Sequence, residues 1–240
     1  MKGERRVYDS EDSASRAAAE LFCERAAETI ARADRFVVAL TGGSTPRKMY
    51  RLLGQEPYRS RVQWERIDFF WSDERAVPPE HADSNFRIAN EGFLAPLAVP
   101  PGRIHRMPAE REDLDQAARD YQAEMVRVLG GDLDGAPPQF DWLLLGMGSD
   151  GHVASLFPGS PALQEEQRWV VGNPGPGGKG QRMTFTLPLL NRGKEVVFLV
   201  AGADKGAAIA ALERGEDLPA QRIAPQGPLI WILDQSAASL

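Results

Sequence analysis

Cysteine, histidine and long apolar runs are scarce in these 240 residues. The one cysteine, Cys23, cannot form an intrachain disulfide, and a free thiol is typical of a reducing compartment, so we expect a cytoplasmic location. No apolar run approaches the ~18 residues that suggest a membrane span, and no apolar signal segment follows the N-terminus. The three histidines lack the spacing of zinc ligands, so we expect neither a metal site nor another cofactor.

Positive charge is also in short supply. The chain has 28 Lys and Arg against 34 Asp and Glu, which gives a formal net charge of -6. This balance disfavours nucleic acid as the main partner, because phosphodiester backbones are bound through clustered positive charge. An anionic ligand would therefore need a local basic pocket. The 42% of hydrophobic residues suffice for a globular core, and no linker or repeat interrupts the chain, so we expect one domain over residues 1–240.

Short apolar runs alternate with helical patterns along the chain. Strands are predicted at residues 36–40, 67–71, 142–145, 195–200 and 229–233, and helices at residues 13–33, 113–129 and 206–212. Near-continuous apolar strands separated by helices are typical of a mostly parallel sheet that is covered on both faces. The sequence therefore predicts an α/β fold, with a strand-rich excursion around Trp169 to Leu187.

The turn after the first predicted strand, Gly42-Gly43-Ser44, has the composition of an anion site. Its glycine amides can approach a ligand closely, and a helix with Pro46 in its first turn is predicted to begin beside it. Lys48 follows with no second glycine before it, so the segment is not a P-loop. A Gly-Gly-Ser turn with a purely structural role is also consistent with the sequence.

Three basic residues lie beside predicted strands: Arg75, Arg182 and Lys205. Arginine offers a two-pronged donor fork and lysine a point charge, and both are suited to phosphate. Each residue alone is consistent with a solvated surface charge. Their joint placement beside glycine turns favours a phosphate-binding role.

The segment Gly146–Gly151 matches the dinucleotide-binding pattern G-x-G-x-x-G. We reject a dinucleotide site on three grounds. Asp150 would place negative charge against the pyrophosphate, Pro158 and Pro161 shorten the helix that should follow, and the segment lies far from the N-terminus.

The same glycine-rich segment leads into His152. If the chain from Asp150 to His152 is extended, residues i and i+2 point to one side, which brings the carboxylate beside the imidazole. An accessible histidine with a nearby carboxylate is a candidate general base near neutral pH. A hydrogen-bonded loop histidine without a catalytic role is the alternative, and it is the interpretation we favour for His81 and His105.

Four segments together resemble the 6-phosphogluconolactonase family: ALTGGSTPRKMYRLL, FFWSDERAVPPEHADSNFRIANEGFL, FDWLLLGMGSDGHVASLFPGSPAL and RMTFTLPLLNRGKEVVFLVAGADKGAAIAAL. They cover nearly the whole chain in the order of the family. The related glucosamine-6-phosphate deaminases share the glycines, aspartate and histidine of the third segment. Five positions after the histidine those deaminases carry a glutamate, where this chain has Phe157. The difference favours a lactonase over a deaminase.

The resemblance implies a doubly wound, Rossmann-like α/β fold of the glucosamine-6-phosphate deaminase type, with helices on both faces and no nucleotide. It also implies hydrolysis of 6-phospho-D-glucono-1,5-lactone to 6-phospho-D-gluconate in the oxidative pentose phosphate pathway. By motif, His152 is the general base and Asp150 its neighbour. The other implied site residues are Arg75, Arg182 and Lys205 at the phosphate, the turn Gly42, Gly43 and Ser44 beside the substrate, and Asp73 and Asn85, which position the sugar.

Other interpretations stay open at this point. The chain could be an aldose–ketose isomerase or deaminase of an amino sugar phosphate, with Asp73 as the base, or a non-catalytic phosphosugar sensor. A functional coupling to glucose-6-phosphate dehydrogenase is open as well. Backbone amides near Gly42 or Gly148 are candidate oxyanion donors. The stretch Asn173–Gln181 is expected to be a surface loop, either a disordered connector or a substrate lid.

Overall fold

A six-stranded parallel sheet forms the centre of the computed structural model, which describes residues 1–238. The strands of this described part are β1 (Glu4–Tyr8), β2 (Phe36–Leu40), β3 (Ile67–Trp71), β4 (Asp73–Arg75), β5 (Trp142–Leu145), β6 (Val170–Pro174), β7 (Gln181–Phe185), β8 (Val196–Val200) and β9 (Leu229–Asp234). Its α-helices are α1 (Glu11–Ala33), α2 (Ser44–Leu53), α3 (Asn85–Ala89), α4 (Leu114–Leu129), α5 (Leu187–Leu190), α6 (Gly206–Glu213) and α7 (Gln235–Ala238). A π-helical turn, Asn90–Leu94, follows α3 directly.

The large sheet has the strand order β1-β9-β8-β5-β2-β3, and every neighbouring pair is parallel. All residues of β2, β3, β5, β8 and β9 are buried, so both faces of the sheet are covered. The predicted α/β class with a doubly wound, mostly parallel sheet is confirmed. The sequence analysis missed β1, whose charged sequence and partial exposure reflect its place at the edge of the sheet.

The order of the strands reverses at β2. From β2 the chain moves outward to β3, and it later returns to add β5 on the other side of β2. The loops that leave β2 and β5 therefore diverge, which opens a crevice at the carboxyl ends of these two strands. Crevices of this kind are where open α/β sheets bind ligands.

A second, three-stranded antiparallel sheet has the order β4-β7-β6. Its hairpin β6–β7 is the strand-rich excursion predicted from the sequence. The expectation of a surface loop over Asn173–Gln181 is wrong at both ends, because Asn173 pairs with Arg182 and Pro174 with Gln181. Ladder pairing thus shortens the loop to a tip of residues 175–180. A role of this tip as a lid stays a prediction.

The apolar core is a single cluster of buried side chains drawn from most of the helices and strands. Phe22 of α1 illustrates the packing, since its ring lies 5.2 Å from Trp142 of β5 and 5.7 Å from Phe36 of β2, in edge-to-face geometry. Aromatic contacts of this kind stabilise the layer between α1 and the sheet. No helix within residues 1–238 is long and apolar enough to cross a membrane. The expectation of one domain stays a prediction.

A buried charge cluster lies toward the amino end of β3. The Asp68 carboxylate contacts Arg35 Nε at 2.7 Å, Arg103 Nη1 at 3.1 Å and His105 Nε2 at 3.1 Å. Burial raises the pKa of Asp68, but the hydrogen bond from His105 and the two arginine charges lower that pKa by more, so it lies below the ordinary value. His105, expected to be an ordinary loop histidine, is buried in this cluster, and its Nδ1 lies 2.8 Å from Glu124.

We expect Asp68→Asn to lower the free energy of unfolding by about 1–3 kcal/mol at pH 7, because it leaves partly buried cations without their carboxylate. The pKa of Asp68 is depressed by folding, so the carboxylate stabilises the fold above its unfolded pKa of about 4 and loses that effect as pH falls further. Urea unfolding at pH 7 and pH 3 measures both, with exposed Glu112→Gln as control. An equal loss at the two pH values would contradict the electrostatic account.

Candidate active site

A cavity of about 300 Å³ lies at the carboxyl ends of β2, β5 and β8, at the point where the strand order reverses. The second sheet forms one of its walls. Nine of the ten site residues predicted from the sequence line this cavity: Gly42, Gly43, Ser44, Asp73, Arg75, Asn85, His152, Arg182 and Lys205. The tenth residue, Asp150, does not line it and contacts it through His152.

The turn that leaves β2 is held by a buried tyrosine. Tyr50 of α2 donates its hydroxyl to Thr41 O at 2.7 Å and accepts Thr41 N–H at 3.2 Å, which fixes the end of β2 against the helix that follows. Gly42 is required by close packing, because a Cβ there would lie 1.7 Å from Asn85 Oδ1. Gly43 has φ +112°, a conformation that side chains other than glycine rarely adopt.

Two arginines face each other at the wall of the cavity. Arg75 of β4 and Arg182 of β7 are direct partners in the antiparallel ladder. Burial and the charge of Arg75 lower the pKa of Arg182, and the nearby carboxylates of Asp73, Asp83 and Glu74 offset part of this effect. Within residues 1–238 neither arginine forms an ion pair. Like charges placed directly opposite are unfavourable, so this wall is suited to an anion.

Lys205 adds a third cation from the loop after β8. Its Nζ lies 2.9 Å from the exposed carboxylate of Asp204. The loop itself is held by Asp234 of β9, which accepts Gly202 N–H at 3.0 Å. The three cations that the sequence suggested for a phosphate are thus brought to one cavity by three different segments.

His152 is paired with Asp150 on the loop after β5. His152 Nδ1 lies 2.6 Å from Asp150 Oδ1, and the same oxygen accepts the His152 backbone N–H at 3.1 Å. The conformation differs from the extended one considered above, because Gly151 N–H donates to Gly148 O at 3.0 Å and Gly151 has φ +77°. The two side chains therefore meet across a tight turn, and their proximity does not come from strand alternation.

The charge on Asp150 determines which imidazole nitrogen is free. Burial raises the pKa of Asp150, but the charge and hydrogen bonds of His152 lower it by more, so the pKa lies below the ordinary value. An ionised carboxylate can only accept, so Nδ1 carries the proton and donates to it. In the neutral imidazole, Nε2 then carries the lone pair that a general base requires.

The imidazole ring is enclosed by two further residues, Phe157 and Gly148, of which the sequence analysis considered Gly148 only for its backbone amide. Phe157 lines the cavity with its ring centroid 4.8 Å from that of His152. Gly148 leaves room for the pair, since a Cβ there would lie 2.1 Å from His152 Nδ1 and 2.6 Å from Asp150 Oδ1. The literal G-x-G-x-x-G match had pointed to Gly148 for a different reason.

A buried polar chain runs along the floor of the cavity. Ser155 donates its hydroxyl to Asp73 Oδ2 at 2.8 Å, and Asn85 Nδ2 donates to Asp73 Oδ1 at 3.2 Å and to Asp73 O at 2.9 Å. Ser155, missed by the sequence analysis, also donates its backbone N–H to Thr184 Oγ1 of β7 at 3.1 Å. Its only sequence signal was its place three residues after His152. These hydrogen bonds connect the His152 loop to both β4 and α3.

The fold and the cavity together define a class: an α/β protein whose ligand cavity lies at the switch point of a parallel sheet. The family model described as glucosamine-6-phosphate isomerases/6-phosphogluconolactonase matches residues 9–231. The chain belongs to this family, and the resemblance found in the sequence is confirmed. Within residues 1–238, no group of three or more metal-binding side chains is suited to a metal ion.

Similar proteins of known name support the same grouping. A 6-phosphogluconolactonase of Synechocystis sp. is 43% identical over 219 residues, which cover 89% of this chain and 88% of the relative. The structure of a 6-phosphogluconolactonase from Trypanosoma cruzi superposes with a TM-score of 0.88 at 29% identity, covering 99% of this chain and 96% of that one. A monomeric glucosamine-6-phosphate deaminase superposes with a TM-score of 0.82 at 21% identity, covering 99% of each chain, which shows the shared fold.

We expect Gly148→Ala to separate His152 from Asp150, because the added methyl group would overlap both side chains. The measurement is the downfield proton resonance of the hydrogen-bonded His152 Nδ1, which should be present in the wild type and absent in the variant. Gly146→Ala is the matched control, since its Cβ would meet nothing nearer than Gly42 O at 3.9 Å. Loss of the resonance in both variants, or in neither, would count against this interpretation.

Proposed function

We propose that this chain hydrolyses 6-phospho-D-glucono-1,5-lactone to 6-phospho-D-gluconate, a step of the oxidative pentose phosphate pathway. The observation that carries the proposal is the presence of the His152–Asp150 pair and of three cations, Arg75, Arg182 and Lys205, at one cavity. The 6-phosphogluconolactonases among its relatives support it as well. The cations suit the phosphate of the substrate, and the pair suits attack on its lactone.

Binding of the phosphate orients the rest of the substrate. Arg75 and Arg182 supply paired donors, and Lys205 supplies a point charge from the loop after β8. The phosphate would supply a direct counter-charge to the two facing arginines. A substrate held at one end presents its carbonyl at a fixed distance from His152, which is worth several powers of ten in effective concentration.

The reaction needs a water molecule, a base and charge stabilisation, because a lactone is already an activated ester. His152 Nε2 takes a proton from water as the water oxygen attacks the carbonyl carbon. When the tetrahedral intermediate collapses, the bond between the carbonyl carbon and the ring oxygen breaks, and the imidazolium returns the proton to that oxygen. The ionised Asp150 stabilises the imidazolium through Nδ1–H while it exists.

Among the candidate oxyanion donors, the backbone amides of the turn after β2 are favoured here. Gly148 N–H donates to His152 O at 2.9 Å, so it is already engaged within the loop. The glycine turn Gly42–Gly43 after β2 is the remaining candidate of the two considered, because it lines the same cavity. Backbone amides there would meet the developing negative charge without reorganisation.

A deaminase or isomerase of an amino sugar phosphate is less well supported. Such a reaction would use Asp73 as a base, but both of its carboxylate oxygens already accept hydrogen bonds from Ser155 and Asn85. Phe157 offers an apolar ring where the related deaminases carry a carboxylate. Ammonia release from glucosamine-6-phosphate tests this alternative directly.

A cytoplasmic location and a functional coupling to glucose-6-phosphate dehydrogenase, which forms the lactone, both stay predictions. The free thiol of Cys23 is consistent with a reducing compartment, and it lies on the buried face of α1. Burial raises the pKa of Cys23 to about 12, so the thiol stays protonated and unreactive near neutral pH.

We expect His152→Ala to lower kcat by about 100- to 10,000-fold, the usual effect of removing a general base. The lactone is generated in place by glucose-6-phosphate dehydrogenase, and its disappearance is followed against the spontaneous rate. His81→Ala is the matched control, since the His81 side chain is exposed. Near wild-type turnover by His152→Ala would contradict the assignment of His152 as the general base. No acceleration by the wild type would favour a non-catalytic phosphosugar sensor.

We expect Arg75→Ala to raise KM for the phosphorylated lactone by about 10- to 100-fold, because a charge-assisted hydrogen bond to phosphate is lost. Unphosphorylated glucono-1,5-lactone should be hydrolysed by the variant and by the wild type with similar kcat/KM. The exposed Arg119→Ala serves as control. Equal losses with the two lactones would show that Arg75 does not act on the phosphate.

A further inference from the structure

Glu74 is a buried carboxylate that lies next to the cavity without lining it. Its neighbours along β4, Asp73 and Arg75, both line the cavity, and strand alternation places Glu74 on the opposite face. The side chain is almost inaccessible to solvent, and no cation pairs with it within residues 1–238. Burial raises the pKa of Glu74, although backbone hydrogen bonds offset part of this increase.

Four hydrogen bonds take the place of a cation. Glu74 Oε1 accepts the backbone N–H of Asn85 at 2.7 Å and that of Arg75 at 2.8 Å. Oε2 accepts the N–H of Phe86 at 2.8 Å and the hydroxyl of Ser84 at 3.0 Å. An unpaired carboxylate is costly to bury, so this complete set of donors is what makes the buried position tolerable.

These bonds join the first turn of α3 to β4. Amide groups at the start of a helix lack partners within it, and here Glu74 satisfies the first two. Ser84, the N-cap residue, satisfies the next by accepting Arg87 N–H at 3.1 Å, while its hydroxyl proton goes to Glu74. Glu74 thus attaches the start of the short helix to the strand, in addition to the bonds that Asn85 makes with Asp73.

The hydrogen bonds between Glu74 and the start of α3 hold two residues of the cavity in place. Asn85, the first residue of α3, extends its amide to Asp73 and packs against the Gly42 turn. Arg75 directly follows Glu74 as the last residue of β4, and its backbone N–H is one of the four donors to the Glu74 carboxylate. The negative charge of Glu74 also offsets part of the unfavourable field that Arg75 exerts on Arg182.

We propose that Glu74 is a positioning residue for the phosphate end of the ligand. By clamping the start of α3 to β4, it sets the places of Arg75 and Asn85 at the cavity. The identification of the bound anion as the phosphate of the lactone rests on the function proposed above. The attachment of α3 to β4 by Glu74, called the clamp below, acts on anion binding. It can therefore be tested without measuring turnover.

Glu74→Gln is the variant that tests the clamp. It keeps the size of the side chain, but its NH₂ group would face N–H donors where a carboxylate oxygen now accepts. We expect the Kd for inorganic phosphate, measured by calorimetry, to rise about tenfold, the change expected when one charge-assisted contact is weakened. Asp68→Asn is the matched control, because Asp68 is an equally buried carboxylate away from the cavity.

Kinetics provide a second readout that a purely structural role would not move. With Glu74→Gln, KM for the phosphorylated lactone should rise about tenfold, while kcat/KM for unphosphorylated glucono-1,5-lactone changes little. If Glu74→Gln does not fold, Ser84→Ala is used instead, because it removes one of the four donors and one cap bond. It should give a smaller rise in the same phosphate Kd.

The outcomes are distinguishable from a failure of the lactonase proposal. Weaker phosphate binding by Glu74→Gln, with Asp68→Asn unchanged, supports the clamp even if the wild type hydrolyses no lactone. Unchanged phosphate affinity in a folded Glu74→Gln or Ser84→Ala variant would overturn it. Equal weakening by Asp68→Asn would overturn it as well, since the effect would then be one of general stability. So would a wild type that binds no phosphate.

Discussion

The site depends above all on the pairing of β2 with β5 in the middle of the parallel sheet. Val38 pairs with Trp142 and Ala39 with Leu143, so the loops that follow the two strands start side by side. One loop supplies the glycine turn after β2, and the other supplies the histidine and its carboxylate. Because both strands are entirely buried, polar groups can collect only at their ends.

Buried side-chain hydrogen bonds fix the loops around this crevice. Tyr50 holds the turn after β2, Ser155 holds the loop after β5, and Asp234 holds the loop after β8. These three side chains are almost fully removed from water, so leaving one of them unpaired would cost about 1–3 kcal/mol. The loops therefore have one favoured arrangement each. A preorganised site of this kind spends little binding energy on ordering itself.

The sequence predicted the central strands closely, because their continuous apolar runs are long enough for a buried strand and too short for a buried helix. It also predicted nine residues of the cavity, since glycine turns and charges at strand ends are visible in one dimension. It missed β1 and β4, whose charged sequences become strands only through their neighbours. Glu74 and Ser155 escaped notice for a related reason. A buried polar group is recognisable only when its partners, distant in sequence or turned away from the cavity, are known.

The composition of β1 has a consequence for how the molecule behaves among copies of itself. β1 forms one edge of the six-stranded sheet, and an edge strand offers unpaired backbone groups to any other strand it meets. Here that strand has Glu4, Arg5 and Arg6 in succession, with Arg6 paired to Glu4 and Arg5 to Glu213 of α6. Charges along an edge strand make its pairing with a strand of another molecule unfavourable, because the charged groups would have to be desolvated. The charges that kept β1 from being recognised in the sequence thus disfavour aggregation through this edge of the sheet.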